Sequence, residues 1–117
     1  MDTTCLEAGC HVLVEKPLAH TMEAAREVVA AAERTGRIHA VMQNRRYNPQ
    51  MLRLARTMAQ PRLGRPHTLY ADFFVPAHFG GFRAEMEHVL LLDMAIHTFD
   101  QARYLLGARP EEIVAME

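Results

Sequence analysis

Lysine is almost absent from this 117-residue chain: twelve of its thirteen basic side chains are arginine, and the exception is Lys16. Cysteine is nearly as scarce. Cys5 and Cys10 are too few for a disulfide framework and read as reduced thiols of a cytosolic protein. No apolar run approaches the roughly twenty residues that span a bilayer, which argues against a transmembrane helix. No basic segment leading into an apolar core marks a secretory signal. A soluble, cytoplasmic protein is therefore expected. Excess charge is missing too, the formal net charge being −1. That argues against a chain built as a whole to coat nucleic acid or an anionic membrane.

What is present is a globular composition, 50% hydrophobic and 23% charged, in a chain long enough for one real core. Arginine is unevenly spread: residues 44–71 hold six and no acid, whereas the first 36 residues hold six acids. The acid-free stretch reads as a solvated face. No internal repeat or low-complexity tract is visible.

The order of patterns along the chain predicts an α/β organisation. Residues 3–8 read as the last turns of a helix with Gly9 as its left-handed cap. "CHVLVE" reads as a short apolar strand, of the kind buried on both faces of a parallel sheet. Thr21 is a candidate N-cap and Gly36 a C-cap; between them Ala25, Val28, Val29 and Ala32 form one apolar stripe. "IHAVMQ", residues 38–43, is a second strand. Strand, helix and strand make a βαβ unit with parallel strands at 10–16 and 38–43.

Beyond it the grammar changes. Asn48 or Pro49 opens a helix to about Met58, and "QPRLGRP" is a connector. "HTLYADFFV" is β-rich, a Gly-Gly loop follows at 80–81, and a long helix spans about Val89 to Leu106. "EEIVAME" reads as one more strand. The change from βαβ to longer strands suggests two domains.

Two places could carry chemistry. Ligands of parallel α/β sheets bind beyond the carboxyl ends of the strands, and Lys16 stands at such an end. Pro17 keeps Lys16 out of helical dihedrals, so the lysine is held extended. A lysine there can donate to a substrate oxygen as a compact point charge, which arginine does not imitate.

The second place is "LLLDMAIHTFDQARYLLG". At about 100° per residue, Leu92, Ala95, Ile96, Phe99, Ala102 and Leu106 share one helix face. Asp93, His97, Asp100 and Tyr104 fall within an arc of about 60° on another. Leu90, Met94 and Leu105 flank that arc, as they would around a stripe facing an internal cleft. Asp93 and His97, four apart, can hydrogen-bond, and histidine has the proton affinity of a general base near neutrality. The alternative is an ordinary surface Asp–His pair. His88, Asp93 and His97 also have the chemistry of a metal ligand set, but their spacing does not put all three on one helix face, so no metal is expected. His11, His20, His39 and His67 read as structural or surface residues.

In order, "LEAGCHVLVEKPLAHTMEAAREVVAAAERTGRIHAVMQNRRYNP", "LGRPHTLYADF" and "LLLDMAIHTFDQARYLLG" resemble the landmarks of the glucose–fructose oxidoreductase/inositol dehydrogenase/MocA-type oxidoreductases. The likeness covers almost the whole chain. It implies the end of a Rossmann-type parallel βαβ domain, residues 1–46, joined to the start of an α+β C-terminal domain with an open sheet, residues 47–117. It implies an NAD- or NADP-dependent enzyme moving hydride between nicotinamide and a carbinol carbon of a sugar, polyol or related compound. By position, Lys16 would touch the nicotinamide ribose and the reacting oxygen, His97 would be the acid/base, and Asp93 would orient it. Glu15, Pro17, Asn44 and Arg46 would lie along the cofactor. The full-length protein would be a homo-oligomer with no nucleic-acid or membrane partner.

Two departures from the family pattern stand out. Many members carry a Gly-rich turn before the aspartate, where this chain reads "EMEHVLLLD", so His88 could itself meet substrate. Nor is there a Gly-x-Gly-x-x-Gly run to cradle a pyrophosphate. The chain therefore reads as the middle of a longer protein, expected to be inactive alone. Two other readings compete: a non-catalytic binding or assembly module of the same fold, and a metal-dependent hydrolase using His88, Asp93 and His97.

Overall fold

A computed structural model describes residues 1–75, 78 and 80–116. The chain divides into two compact units, Met1–Gln43 and Asn44–Glu117, so Asn44, Arg45 and Arg46 fall in the second.

The first unit starts with helix α1, Asp2–Glu7. Its end is closed by Cys10 N–H donating to the Cys5 carbonyl and Gly9 N–H to that of Leu6, with Gly9 left-handed at φ 87°. Strand β1, Val12–Glu15, follows, then helix α2, Met22–Thr35, and strand β2, His39–Met42. Thr21 caps α2 as expected, its hydroxyl accepting from Ala24 N–H at 3.2 Å, and Gly36 ends it at φ 62°. β1 and β2 pair in parallel, with Val12 opposite His39 and Glu15 opposite Met42. The predicted strand–helix–strand unit is thus the observed one.

Its core is Leu6, Val28 and Ala31, against which Val12, Leu18 and Ala32 pack. Two details differ from expectation. α1 lies on α2 and draws the buried line through Val28 and Ala31, leaving Val29 about half exposed. β1 is covered on one face only: Val12 and Val14 turn inward, while Leu13 keeps 66% of its surface in solvent. Two histidines are structural. His11 Nδ1 accepts from Ile38 N–H at 3.0 Å, and His39 Nε2 lies 3.1 Å from Asp2 Oδ2, tying β2 to the start of α1.

The second unit begins with a 3-10 turn, Asn44–Tyr47, and helix α3, Pro49–Met58. Asn48 Oδ1 accepts from Gln50 N–H at 3.0 Å and Pro49 takes the first helical position. Further 3-10 turns cover Pro61–Leu63 and Gly81–Glu85. The long predicted helix is present with a composite backbone: π-helical turns at Leu90–Ala95 run into helix α4, Ile96–Leu106, which Gly107 ends at φ 60°.

The two β-rich segments of this unit are not strands. Residues 67–75 and 111–116 form neither strand nor helix, and Glu117 lies outside the described residues. Valine and aromatic content favours a strand only where a neighbouring chain completes the hydrogen bonds, and neither segment pairs with another here. Among the described residues the only sheet is β1–β2, and no helix is long and apolar enough to cross a membrane.

Candidate active site

β1 ends at Glu15, which is exposed, and Lys16 follows half-buried, joined to Pro17 through a cis peptide. The sole lysine therefore does stand just beyond the carboxyl end of a parallel strand, where α/β proteins bind ligands. Glu15, Lys16 and Pro17 come together in the first unit; Asn44 and Arg46, expected beside the same cofactor, belong to the second.

In the second unit the polar stripe is the inside of the helix. Asp93, His97 and Asp100 retain 4%, 6% and 8% of their surface and are the buried polar residues among those described. Of the apolar face, Phe99 is about half exposed, and with Ala102, Leu106 and Ile113 it lines an open groove. Burying ionisable groups is costly unless they are paired, and arginines supply the pairing. Arg83, in the turn Gly81–Glu85, donates from Nε to Asp93 Oδ2 at 2.7 Å. Arg46 donates from Nε to Asp100 Oδ2 at 3.1 Å and from Nη2 to Asp100 Oδ1, and its guanidinium lies 5.1 Å from the Tyr104 ring centroid. Donating its hydrogen bonds to Asp100 pushes the Arg46 pKa above its ordinary value, against the opposing effect of burial.

Asp93 sits within the π-helical turns, where i→i+5 bonding widens the backbone; such turns concentrate at functional sites. The junction at Ala95–Ile96 therefore sets the register of Asp93 against His97. The run starts from His88, which adopts a left-handed φ of 55° and whose carbonyl accepts from Leu92 N–H at 2.9 Å. His88 is exposed, its Nε2 3.7 Å from Glu87 Oε1.

His97 reaches a polar hollow of about 420 Å³ whose other walls are Asn44, Arg45, Tyr47 and Asn48. The Arg45 guanidinium lies 4.9 Å from the Phe73 ring centroid. An imidazole at the back of a hollow lined by amide, phenol and guanidinium groups can exchange a proton with a hydroxylated small molecule while its neighbours bond the other hydroxyls. A metal reading finds no support: among the described residues no three His, Cys, Asp or Glu side chains are placed to hold an ion.

Arg83, Tyr47 and Asn48 escaped the sequence reading. Arg83 lies in an irregular segment ten positions before Asp93, so no helical or strand period relates the two. Tyr47 and Asn48 were visible in the Asn-Arg-Arg-Tyr-Asn-Pro run, Tyr47 only as part of the stretch that carries the resemblance and Asn48 only as a helix start.

Comparison with known proteins places both units. Residues 1–43 match the family model described as oxidoreductase family, NAD-binding Rossmann fold, and residues 51–117 match that of the GFO/IDH/MocA C-terminal domain. A 1,5-anhydro-D-fructose reductase of Ensifer adhaerens is 34% identical over 116 residues, covering 95% of this chain and 35% of the reductase. Inositol 2-dehydrogenase 2 of Saccharopolyspora erythraea is 39% identical over 111 residues, covering 94% and 31%. A myo-inositol 2-dehydrogenase of Thermotoga maritima is 30% identical over 111 residues, covering 95% and 33%. The chain spans about a third of the length of these curated relatives. No solved structure matches it.

Proposed function

Because the chain belongs to the GFO/IDH/MocA family of oxidoreductases, we propose that it carries the acid/base part of a nicotinamide-dependent interconversion of a carbinol and a carbonyl in a sugar or polyol. The observation that carries this reading is the buried Asp93–His97–Asp100 stripe, which runs from the π-helical turns into α4, with His97 opening onto the hollow of Asn44, Arg45, Tyr47 and Asn48.

The residues of the first unit fit one end of NAD(P). The exposed Glu15 carboxylate and half-buried Lys16 ammonium at the end of a parallel strand are an acceptor and a donor suited to ribose hydroxyls. The pyrophosphate end finds no Gly-x-Gly-x-x-Gly turn in these residues. When bound, the nicotinamide supplies hydride acceptance and donation at carbon. His97 takes the hydroxyl proton as the C–H bond gives up its hydride, and returns it in the reverse direction. Asp93 orients His97, and Lys16 donates to the substrate oxygen, for which a compact ammonium is suited. Asn44, Tyr47 and Asn48 hold neighbouring hydroxyls.

The experiment splices the chain into the Ensifer adhaerens reductase in place of the matching segment. NAD(P)-dependent oxidation is then assayed on inositols, glucosides and reduced anhydrofructose, beside the 117-residue chain alone. Activity in the spliced enzyme that disappears with His97→Ala supports the reading. A folded, cofactor-binding hybrid whose turnover ignores that change sinks it.

A further inference from the structure

We propose that Arg83 is a positioning residue of this site: its guanidinium fixes the Asp93 carboxylate and compensates its charge beside His97. The inference rests on the reading of Asp93 and His97 as orienter and base, but the contact that suggests it is independent of that reading. Arg83 Nε donates to Asp93 Oδ2 at 2.7 Å, from a side chain 38% exposed to one only 6% exposed. A surface arginine thus reaches onto a buried carboxylate through a charge-assisted bond. The guanidinium also lies over the Phe82 ring, 4.7 Å from its centroid. The turn Gly81–Glu85 that presents it starts at Gly81 with φ 63°, a left-handed value that glycine adopts without strain.

The chemical consequence concerns proton affinity. A carboxylate one helical turn from an imidazole favours its protonated form, and a cation bonded to that carboxylate opposes the effect. Arg83 therefore keeps His97 less basic than a lone Asp93 would make it, nearer the neutral form a general base needs. The other charged or titratable groups around His97 are distributed differently. Asp100 and Tyr104 lie on its own helix, and Arg46 is committed to Asp100. Arg45 and Tyr47 share the hollow. α3, packed on α4, carries Arg53 and Arg56, both exposed. Removing Arg83 changes the balance at Asp93 and leaves these in place.

The test is an NMR titration of the His97 imidazole in the 117-residue chain, its resonance assigned with His97→Gln. Arg83→Gln should raise the His97 midpoint by about one pH unit, and Arg83→Lys should bring it back close to wild type. Asp93→Asn should lower the midpoint, and adding Arg83→Gln to it should produce no further rise, because the arginine acts through the aspartate. Should Arg83→Gln lose the fold, Arg83→Met, which keeps an apolar stem over Phe82, takes its place. A midpoint unmoved by loss of Arg83, or one raised equally when Asp93 is already asparagine, overturns the proposal. The titration does not depend on turnover. A failed activity assay with an intact cycle removes the catalytic reading and leaves the coupling; the reverse removes the coupling alone.

Discussion

Asp100 receives Arg46 through both carboxylate oxygens, and the same guanidinium covers the Tyr104 ring one turn further along α4. This clamp ties the turn Asn44–Tyr47 to α4, and so holds the walls of the hollow against His97. Breaking it should be expensive. Arg46→Ala leaves a carboxylate that is 8% exposed without its cation, at a cost of about 3 kcal/mol, the low end for disrupting a buried pair because Arg46 itself keeps a third of its side chain in water. Replacing both partners, Arg46→Met with Asp100→Leu, should recover most of that loss. Urea denaturation of wild type and these two variants measures it. Equal losses in the single and double changes would mean that the packing, not the ion pair, matters.

The pH dependence of the clamp has a definite sign. Asp100 raises the proton affinity of Arg46 above an already alkaline ordinary value. A folded-state pKa raised above the unfolded one gives stability that is complete below the unfolded pKa and lost as pH climbs through the folded one. For an arginine both lie far above neutrality, so this part of the stability should be flat from pH 7 to about pH 10. Melting curves of wild type and Arg46→Ala across that interval should differ by a constant. A gap that closes toward pH 10 would show that another group titrates in the contact.

Much of the fold was legible because it is written in local chemistry. Thr21, Gly36, Gly9, Asn48–Pro49 and Gly107 each mark an element end by a cap or a left-handed φ, and such signals need no knowledge of the rest of the chain. The inward-facing polar stripe was legible for a related reason, since Leu90, Met94 and Leu105 flank it with apolar groups. What was not legible depends on partners. Residues 67–75 have strand composition, but a strand is a relation between two segments. Arg83 reaches Asp93 across an irregular turn with no period. Arg46 was expected along a cofactor, and nothing in its neighbourhood signalled that Asp100, fifty-four positions later, would take it. The π-helical turns at Leu90–Ala95 carry no composition signal that separates them from α-helix.

The small core of the first unit makes it sensitive. Leu6 is fully buried against Val28 and Ala31. Leu6→Ala should cost roughly 2–5 kcal/mol, the usual range for a leucine cavity, and Thr21→Ala about 1 kcal/mol through the lost cap. The two sites have no shared partner, so the double variant should show the sum. Denaturation midpoints followed by circular dichroism decide this; a Leu6→Ala variant as stable as wild type would mean that α1 does not hold the unit together.

His88 stands in the left-handed region at φ 55°, in the place where many members of the family carry a Gly-rich turn. A side chain there costs about 1–2 kcal/mol relative to glycine, and glycine gives back about 0.5–1 kcal/mol through its freer unfolded chain. His88→Gly should therefore stabilise by about 0.5 kcal/mol, while His88→Val, branched at Cβ, should destabilise by about 1 kcal/mol. The opposite signs are the test. If the glycine variant is the less stable one, the histidine side chain contributes more than its backbone costs.

The mechanistic reading is tested by pH profiles of the spliced enzyme. With His97 as the base, alcohol oxidation should rise with pH through the apparent pKa of a carboxylate-oriented imidazole, because only the neutral ring accepts the hydroxyl proton. His97→Ala should remove that limb and cost about a hundredfold or more in kcat, with cofactor affinity little changed. Asp93→Asn takes away the negative charge beside the ring, lowers its proton affinity, and should move the limb to lower pH. Arg83→Gln should move it the other way. Lys16→Arg keeps a positive charge but replaces the compact ammonium with a planar fork, and should lower kcat far more than it changes cofactor binding. If Lys16 and His97 serve one transition state, Lys16→Arg and His97→Ala together should cost much less than the product of their separate effects. A pH profile and rate untouched by His97→Ala would leave the Asp93–His97–Asp100 stripe as an internal polar network whose carboxylates Arg46 and Arg83 neutralise, with no proton to move.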